Sequence, residues 1–301
     1  MATLEIAAPA PTRELGGWAR GTTATVVVGA SFPISAALVA YPYATGQLIR
    51  YAGGALILTA LLKGRLGLPT ARELVLLALV AAVGMVGFNL ALLGAVEQIG
   101  ATNTGVIVGA SPVFLALAAA TLSRHLLGCA ALVVAGAAIV NGVDPRLTAI
   151  GLALAVAALA AEVGFTLLAA PLLPRLGPMR VAVWASWLAV IELALLTRHV
   201  PMPTAGEFGA IAYLAIITTA LAFVLWFGAV QRLGAGRAGL LVGLMPVAAV
   251  AVDAVLNGNA PSTADLAGTA LVAAGVALGA TPSFASRRGR RWSPAPAEAA
   301  R

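Results

Sequence analysis

Residues 94–113, GAVEQIGATNTGVIVGASPV, recur later in the chain as residues 228–247, GAVQRLGAGRAGLLVGLMPV. The two stretches align without a gap at an offset of 134 (228 minus 94), and ten of their 20 positions are identical. A second match, Ala131-Leu132-Val133 with Ala270-Leu271-Val272, has an offset of 139. The chain is therefore expected to consist of two related halves, residues 1–143 and 144–301.

The composition of both halves is that of a membrane protein. Of the 301 residues, 61% are hydrophobic and only 10% are charged, which is too little charge for a water-soluble chain of this length. A hydrocarbon core of roughly 30 Å takes about 20 apolar residues per helix, and no run shows the period-two alternation of an outer-membrane barrel strand. The sequence predicts an all-α integral membrane protein with ten transmembrane helices. They fall near residues 18–40, 44–62, 74–96, 102–122, 126–143, 148–170, 179–198, 208–231, 236–256 and 264–281.

Lys and Arg are concentrated on one side of this ten-helix arrangement. Cytoplasmic loops hold the excess of basic residues, and of the 18 Lys and Arg residues only Arg50, Arg146 and Arg198 fall on the other side. Both termini are therefore expected in the cytoplasm, with the protein in a bacterial inner membrane. The basic residues of 287–291 are expected to contact anionic lipid headgroups, and no stripe of charge indicates nucleic acid. Residues 1–17 are expected to be a short disordered tail.

The odd number of helices in each half determines how the halves are related. A five-helix half that begins in the cytoplasm ends outside, so the second half enters from the opposite face and the two form an inverted repeat. Such repeats are typical of secondary transporters, which alternate between two packings of similar energy. Cys129 is the only cysteine, and His125 and His199 are isolated. No disulfide, metal or cofactor is therefore expected, and no cluster of nucleophile, acid and base indicates an enzyme.

The repeated stretch contains the most informative motif. Gly105-x-x-x-Gly109-x-x-Pro112 recurs as Gly239-x-x-x-Gly243-x-x-Pro246. Proline interrupts a helix and glycine allows a ligand or another backbone to approach, so such paired interruptions indicate a central binding site. Plain helix packing is the alternative interpretation, because faces of small residues are common in membrane helices.

Ionisable and polar residues inside the apolar segments are the other candidates. A charged side chain at the bilayer centre costs about 2.5–3.5 kcal/mol on insertion scales, so Glu162 and Glu192 are candidate proton or substrate-amine sites or structural acids. Arg50 can either reach the outer surface or pair with a substrate carboxylate. Ser31, Ser35, Gln47, Asn89 and Ser111 can bind substrate or neighbouring backbone, and Trp184 can stack on substrate or anchor at the interface. Candidate bending points are Gly84, Gly87 and Gly228.

The sequence resembles the EamA branch of the drug/metabolite transporter superfamily, and within it bacterial exporters of aromatic and other amino acids. The resemblance covers nearly the whole chain and rests on the duplication, Gly29-Ala30-Ser31-Phe32, Leu48-Ile49-Arg50-Tyr51 and the paired Gly/Pro stretches. Val28-Gly29 and Gly258-Asn259 depart from the Trp-Gly and Gly-Glu pairs common in the family. The resemblance implies a central cavity lined by the first, third, fourth, sixth, eighth and ninth helices, with the fifth and tenth as a scaffold.

The expected function is export of amino acids, apolar or aromatic ones favoured, by alternating access. The protein would act as a monomer or homodimer within the lipid bilayer. The alternative is a proton-coupled exporter of drugs or other small metabolites. The residues alone leave the choice between proton coupling and facilitated diffusion open.

Overall fold

The computed structural model of the chain describes residues 11–31, 34, 36–38, 40–118, 123–141, 147–258 and 260–281. Every regular element within these residues is helical, as the composition predicts. Several residues considered above lie outside the described residues: Phe32, Ser35, Arg146, Asn259 and the basic stretch 287–291.

The α-helices of the described residues follow one another with short connections. They are α1 (Pro11–Ala30), α2 (Tyr43–Leu61), α3 (Ala71–Ala81), α4 (Phe88–Val108), α5 (Ser111–Leu117), α6 (Arg124–Asn141), α7 (Ala149–Ala169), α8 (Leu173–Leu196), α9 (Ala205–Tyr213), α10 (Ala222–Leu233), α11 (Ala235–Gly239), α12 (Leu244–Asn257) and α13 (Thr263–Ala280). A π-helical turn, Ala82–Gly87, joins α3 to α4, and another, Leu214–Leu221, joins α9 to α10. The 3₁₀ turns are Ala36–Leu38, Ala170–Leu172 and Leu240–Gly243.

Among the described residues, five continuous helical stretches are long and apolar enough to cross a membrane. They are Ala71–Gly100, Ala149–Leu196, Ala205–Leu233, Ala235–Val252 and Thr263–Ala280, while Asn103–Leu117 and Arg124–Val140 are shorter apolar helices. The second stretch has 48 residues, about 72 Å at 1.5 Å per residue, more than twice the roughly 30 Å of one crossing. The chain is thus a multi-pass membrane protein.

Glycines with positive φ divide the longest helical stretches. Gly100 (φ 78°, ψ 162°) interrupts α4, Gly177 (φ 75°, ψ 164°) interrupts α8, and Gly234 (φ 77°, ψ 160°) separates α10 from α11. Residues with a side chain rarely adopt this conformation, so each glycine lets the chain change direction without a long loop. Gly100 and Gly234 are the matching glycines of the sequence repeat.

The helices α3 and α9 both begin with a capping box. The side chains of Thr70 and Thr204 accept hydrogen bonds from the backbone N–H groups of Glu73 and Glu207, whose carboxylates accept hydrogen bonds from the threonine N–H groups in return. This capping box satisfies two backbone donors that a helix start otherwise leaves unpaired. The separation of the two boxes along the chain equals the offset of the repeat, and a π-helical turn follows each of them.

Two glycine contacts between distant parts of the chain involve residues that correspond in the sequence repeat, with the two partners exchanged. Gly17 of α1 packs against Leu233 of α10, where an added Cβ would lie 2.8 Å from the leucine Cγ. Gly151 of α7, which corresponds to Gly17 in the repeat, packs against Ile99 of α4, which corresponds to Leu233. A second pair of contacts follows the same rule. Gly228 contacts Arg20, and the corresponding residues in the repeat, Gly94 and Leu154, also contact each other.

The helices α6 and α13 pack closely against each other, and their contacts exchange in the same way. An added Cβ at Gly136 would lie 2.8 Å from the Val272 backbone nitrogen, and one at Gly275 would lie 2.7 Å from Val133 Cγ2. Gly136 corresponds to Gly275, and Val133 corresponds to Val272, at the offset of 139 found in the sequence. Glycine on both helices therefore brings two backbones together, as small residues do in membrane helix pairs.

The first helix begins earlier than predicted. Residues 11–17, expected in a disordered tail, form the first turns of α1. The Glu14 carboxylate accepts hydrogen bonds from Arg237 Nη1 and Nη2 of α11, at 3.1 and 3.2 Å, and the Arg237 guanidinium lies 5.4 Å from the centre of the Trp18 ring. The tail prediction was wrong for residues 11–17, which are helical and contact Arg237, a residue more than 200 positions away in the sequence.

Candidate functional site

A ladder of polar side chains runs along α2. Tyr43, Gln47, Arg50 and Tyr51 are spaced at i, i+4, i+7 and i+8, which places them on one face of a helix. Arg50 lies seven residues into α2, about 10 Å along the axis. Its charge is therefore carried inside the helix α2 and not in a connecting loop.

The guanidinium of Arg50 is held by neutral groups. Its Nε donates to Thr219 Oγ1 at 2.9 Å, and Nη1 donates to Gln47 Oε1 at 3.2 Å. The Tyr51 ring centre lies 5.2 Å from the guanidinium carbon, within the range of cation–π attraction. Among the described residues, no carboxylate pairs with Arg50. Since arginine has five N–H donors, the guanidinium keeps capacity to bind an anion.

The π-helical turn Leu214–Leu221 supplies the bond from the second half of the chain. Thr219 approaches α2 where Gly54 has no side chain, since an added Cβ at Gly54 would lie 2.6 Å from Thr219 Cγ2. The neighbouring Thr218 is also buried, but its hydroxyl donates to the Leu214 carbonyl of its own helix at 2.8 Å. The glycine and the wide helical turn together bring Thr219 to Arg50.

Asn89 connects α4 to the same cluster. Its Nδ2 donates to the Tyr51 hydroxyl at 3.1 Å and to the Met85 carbonyl of the preceding turn. Tyr51 is buried, so a polar partner for its hydroxyl matters there. The structure thus brings together three of the residues proposed from the sequence, Gln47, Arg50 and Asn89.

Aromatic rings adjoin the polar groups. The centre of the Phe223 ring lies 6.5 Å from that of Tyr51 and 5.4 Å from that of Phe165, and Phe165 lies 5.1 Å from Phe227. These separations are typical of stabilising aromatic pairs. The site therefore offers hydrogen-bond donors and a cation on α2 and an apolar surface on α7 and α10. We call the residues Tyr43, Gln47, Arg50, Tyr51, Asn89, Phe165, Thr219 and Phe223 the Arg50 cluster.

Glu162 lies one helical turn before Phe165, which places both on one face of α7. Its side chain is half-buried. The other intramembrane acid, Glu192 of α8, has a buried carboxylate oxygen, Oε2, without a hydrogen-bond partner among the described residues. Both acids therefore stay candidates for proton or amine binding.

Two glycines of the repeated motif lie at contacts between helices. Gly239 packs against Leu115 of α5, with 2.8 Å between an added Cβ and the leucine Cδ1, and Gly243 packs against Val133 of α6. At Gly109 an added Cβ would lie 2.7 Å from the carbonyl oxygen of Gly105, which belongs to the preceding turn of the same segment. The contacts of Gly239 and Gly243 are of the packing kind that the sequence left as the alternative, and neither involves the Arg50 cluster.

The prolines of the motif follow breaks in their helices. Pro112 and its neighbour Ser111 are buried in the first turn of α5, and the Ser111 hydroxyl has no hydrogen-bond partner among the described residues. Pro246 follows Met245, whose backbone carbonyl touches Gly29 of α1. The break in the ninth predicted helix is therefore close to the contact between α1 and α12.

The other residues proposed from the sequence occupy separate places. The Ser31 hydroxyl donates to the Val28 carbonyl of its own helix at 2.6 Å. Trp184 Nε1 donates to the Gly67 carbonyl in the loop after α2, at 3.1 Å, which fits anchoring at the end of the bundle. The candidate bending points Gly84 and Gly87 both lie in the π-helical turn Ala82–Gly87, and Gly228 is buried against Arg20.

Sequence reasoning did not propose five residues of the cluster as site residues: Tyr43, Tyr51, Phe165, Thr219 and Phe223. The spacing of Tyr43, Gln47 and Arg50 on one helical face could have indicated Tyr43. Thr219 had no such indication, because the second π-helical turn contains no glycine or proline that would mark it in the sequence.

The long apolar helices of the described residues define the class of the protein, a multi-pass membrane protein. The EamA-like transporter family model matches residues 149–281. A protein of Streptantibioticus cattleyicolor named as a probable terminal-alkyne amino-acid exporter is 31% identical over 270 residues, covering 84% of this chain and 90% of that protein. The chain belongs to the EamA-like transporter family, which confirms the resemblance seen in the sequence.

Two further similarities extend over most of the chain. The uncharacterized transporter YetK of Bacillus subtilis is 25% identical over 268 residues, covering 81% of this chain and 80% of that protein. A solved crystal structure matches with a TM-score of 0.75 at 19% identity, covering 87% of this chain and 96% of the other. At this identity the structural match concerns the fold.

Proposed function

We propose that this chain exports amino acids, apolar or aromatic ones favoured, across the bacterial inner membrane by alternating access. The two working parts would be inverted five-helix halves, residues 1–143 and 144–301, with both termini in the cytoplasm. Membership of a transporter family supports transport of a small molecule in general. The substrate class, the direction and the mechanism are the proposal.

The exchanged contacts support the inverted repeat. Helices that are connected by short turns can be joined, and the resulting stretches can be divided at Gly100, Gly177 and Gly234. This grouping gives ten rods, five in each proposed half, which supports the proposal. A twofold axis relating two halves makes each contact between them occur twice with its partners exchanged, as Gly17 with Leu233 and Gly151 with Ile99 do. An odd number of crossings per half places that axis in the membrane plane.

The Arg50 cluster is the observation that carries the substrate class. An unpaired cation within a membrane helix is costly, by about 2.5–3.5 kcal/mol on insertion scales, and such residues mark substrate pathways. Here the cation adjoins the rings of Tyr51 and Phe223. An amino acid with an apolar side chain presents both an anionic group and an apolar group, and the relative named as an amino-acid exporter supports this choice.

The second candidate is a proton-coupled exporter of drugs or other small metabolites. It is favoured by the unpartnered oxygen of Glu192 and by the position of Glu162 next to the aromatic rings. A carboxyl group in the membrane without a cationic partner is more stable when protonated, which is the property a proton carrier needs. Proton coupling and amino-acid export can also occur in one protein.

The test is flux of labelled leucine and phenylalanine into proteoliposomes of the purified protein, with and without an imposed pH gradient. Saturable flux that excess unlabelled amino acid suppresses is the expected result, and empty liposomes are the control. Accumulation that needs the gradient and is lost in Glu162→Gln would assign coupling to that acid. Absence of flux for every amino acid tested would contradict the proposal and favour the second candidate.

A further inference from the structure

We infer that Arg50 and Tyr43 form a carboxylate-binding subsite, and that the carboxylate is the group by which the Arg50 cluster recognises its ligand. The inference rests on the proposed function in treating the ligand as the transported molecule. It goes further in assigning recognition to one functional group and in adding Tyr43, a residue that sequence reasoning missed.

The hydrogen bonds around Arg50 leave some N–H donors of its guanidinium without a partner among the described residues. Gln47 Oε1 and Thr219 Oγ1 both accept from the guanidinium, so these two acceptors hold it in one orientation. The Arg50 Nη2 group is left as a donor, and the buried Tyr43 hydroxyl has no hydrogen-bond partner among the described residues. A buried hydroxyl without a partner is costly. A ligand that accepts hydrogen bonds would satisfy both groups.

The positions of the two donors suit one carboxylate. Arg50 bonds Gln47, which shows that its guanidinium turns back by about one helical turn towards the start of α2. Tyr43 lies four residues before Gln47 on the same face of α2, about 6 Å along the axis. A carboxylate has two oxygens, and each can accept a charge-assisted hydrogen bond of about 2.7–2.9 Å from one of the two donors. A single-atom anion such as chloride would satisfy the two donors less well.

The charges around the cluster exclude recognition through an ammonium group at this position. Arg50 repels a cation, and no carboxylate contacts it among the described residues. Glu162 belongs to α7, on the other side of the ring contacts that join Tyr51 to Phe165 through Phe223. A carboxylate ligand would therefore place its anionic end on α2 and its apolar end against Phe223. Its amino group makes no contact that this subsite requires.

The experiment is thermal unfolding of the purified protein in nanodiscs with a matched panel of ligands. A ligand that binds the folded state raises the unfolding temperature by mass action. L-phenylalanine and 3-phenylpropionate, which share the carboxylate, are expected to stabilise the protein. Phenylalaninamide, which keeps the ring and the amino group but has no carboxylate, is expected to leave the unfolding temperature unchanged.

Single substitutions can measure the contributions of Arg50 and Tyr43 to carboxylate binding separately. Arg50→Gln is expected to weaken binding of both carboxylates by about a hundredfold and Tyr43→Phe by about tenfold, since hydrogen bonds to charged groups are the strong ones. Tyr213→Phe, the same change at the end of α9, is the matched control and should bind normally. If Arg50→Gln does not fold, Arg50→Lys keeps the charge without the planar fork, and it is expected to weaken binding as well.

Equal stabilisation by phenylalaninamide and phenylalanine would overturn the inference, as would normal carboxylate binding by Arg50→Gln or by both Arg50→Lys and Tyr43→Phe. Failure of the carboxylate subsite can be distinguished from failure of the proposed amino-acid export. Stabilisation by 3-phenylpropionate without amino-acid flux would keep the subsite and reject amino-acid export. Amino-acid flux competed equally by phenylalaninamide would keep export and reject the subsite.

Discussion

Thr218 and Thr219 are neighbours with nearly equal burial and different partners. The Thr219 hydroxyl accepts from Arg50, whereas the Thr218 hydroxyl donates to its own backbone. Thr219→Val removes an acceptor of a charged donor while keeping the shape of the side chain, so we expect Arg50 to lose its orientation. The expected result is up to about a tenfold loss of apparent substrate affinity, or about 1.4 kcal/mol, measured as concentration dependence of flux in proteoliposomes.

Thr218→Val is the matched control for this prediction. It makes the same substitution one residue away, in the same π-helical turn, and removes a bond that does not reach the Arg50 cluster. Its affinity should stay within about twofold of the original protein, since no group of the site loses a partner. Equal losses in both variants would mean that the turn itself, and not the bond to Arg50, determines binding.

At the scale of helices, the pair α6 and α13 depends on glycine at the contact. Gly136 faces the backbone of α13, with 2.6 Å between an added Cβ and the Gly268 carbonyl oxygen. Gly136→Ala is therefore expected to force two backbones apart and to destabilise the protein by about 1–3 kcal/mol. The measurement is the thermal unfolding temperature in detergent or nanodiscs.

Gly128 provides the comparison on the same helix. It is exposed, and an added Cβ there would meet nothing within 4 Å. Gly128→Ala should leave stability unchanged or raise it by about 0.5–1 kcal/mol, because alanine is the better helix former. A Gly136→Ala protein as stable as Gly128→Ala would show that the pair can separate freely.

At the scale of the whole molecule, two ion pairs join distant parts of the chain at one end of the bundle. Glu14 pairs with Arg237, and Glu73 pairs with Arg175. Near Arg175, Gln231 of α10 donates to the Leu173 carbonyl at 2.8 Å. This end carries the basic residues that we expect in the cytoplasm.

The opposite end of the bundle is joined by neutral groups. Tyr41 occupies the position that corresponds to Arg175 in the repeat, and its hydroxyl donates to the Pro201 carbonyl at 2.7 Å. The Thr45 hydroxyl donates nearby to the His199 carbonyl at 2.9 Å. Neutral hydrogen bonds thus connect the halves at one end and ion pairs at the other, so salt should act mainly on the ion-paired end.

We expect the double variant Glu14→Gln, Glu73→Gln to open the ion-paired end more often. Exposed ion pairs are weak, so the expected change is about two- to tenfold. In a Cys129→Ala background, a cysteine at the buried Ala229, beside Gly21 at the interface of α1 and α10, would react that much faster with a charged maleimide. Glu97→Gln, at an exposed acid outside both pairs, should have no effect. Unchanged labelling in the double variant would show that the pairs do not hold this end closed.

The sequence by itself determined the helical class, the membrane setting, the repeat and the family. The helical class and the membrane setting depend on composition and on the spacing of residues within a few helical turns. The repeat is visible by aligning the sequence with itself. Three members of the Arg50 cluster were also accessible, because a polar residue stands out in an apolar segment.

Only the tertiary structure decided what those residues touch. The bond between Arg50 and Thr219 joins residues 169 positions apart and depends on a glycine on one helix and a π-helical turn on the other. Glu14, in the stretch expected to be a tail, likewise pairs with the distant Arg237. The local sequence pattern shows which face of a helix is polar. The residue that this face contacts depends on how helices distant in the sequence pack together, and a short segment of sequence does not contain that information.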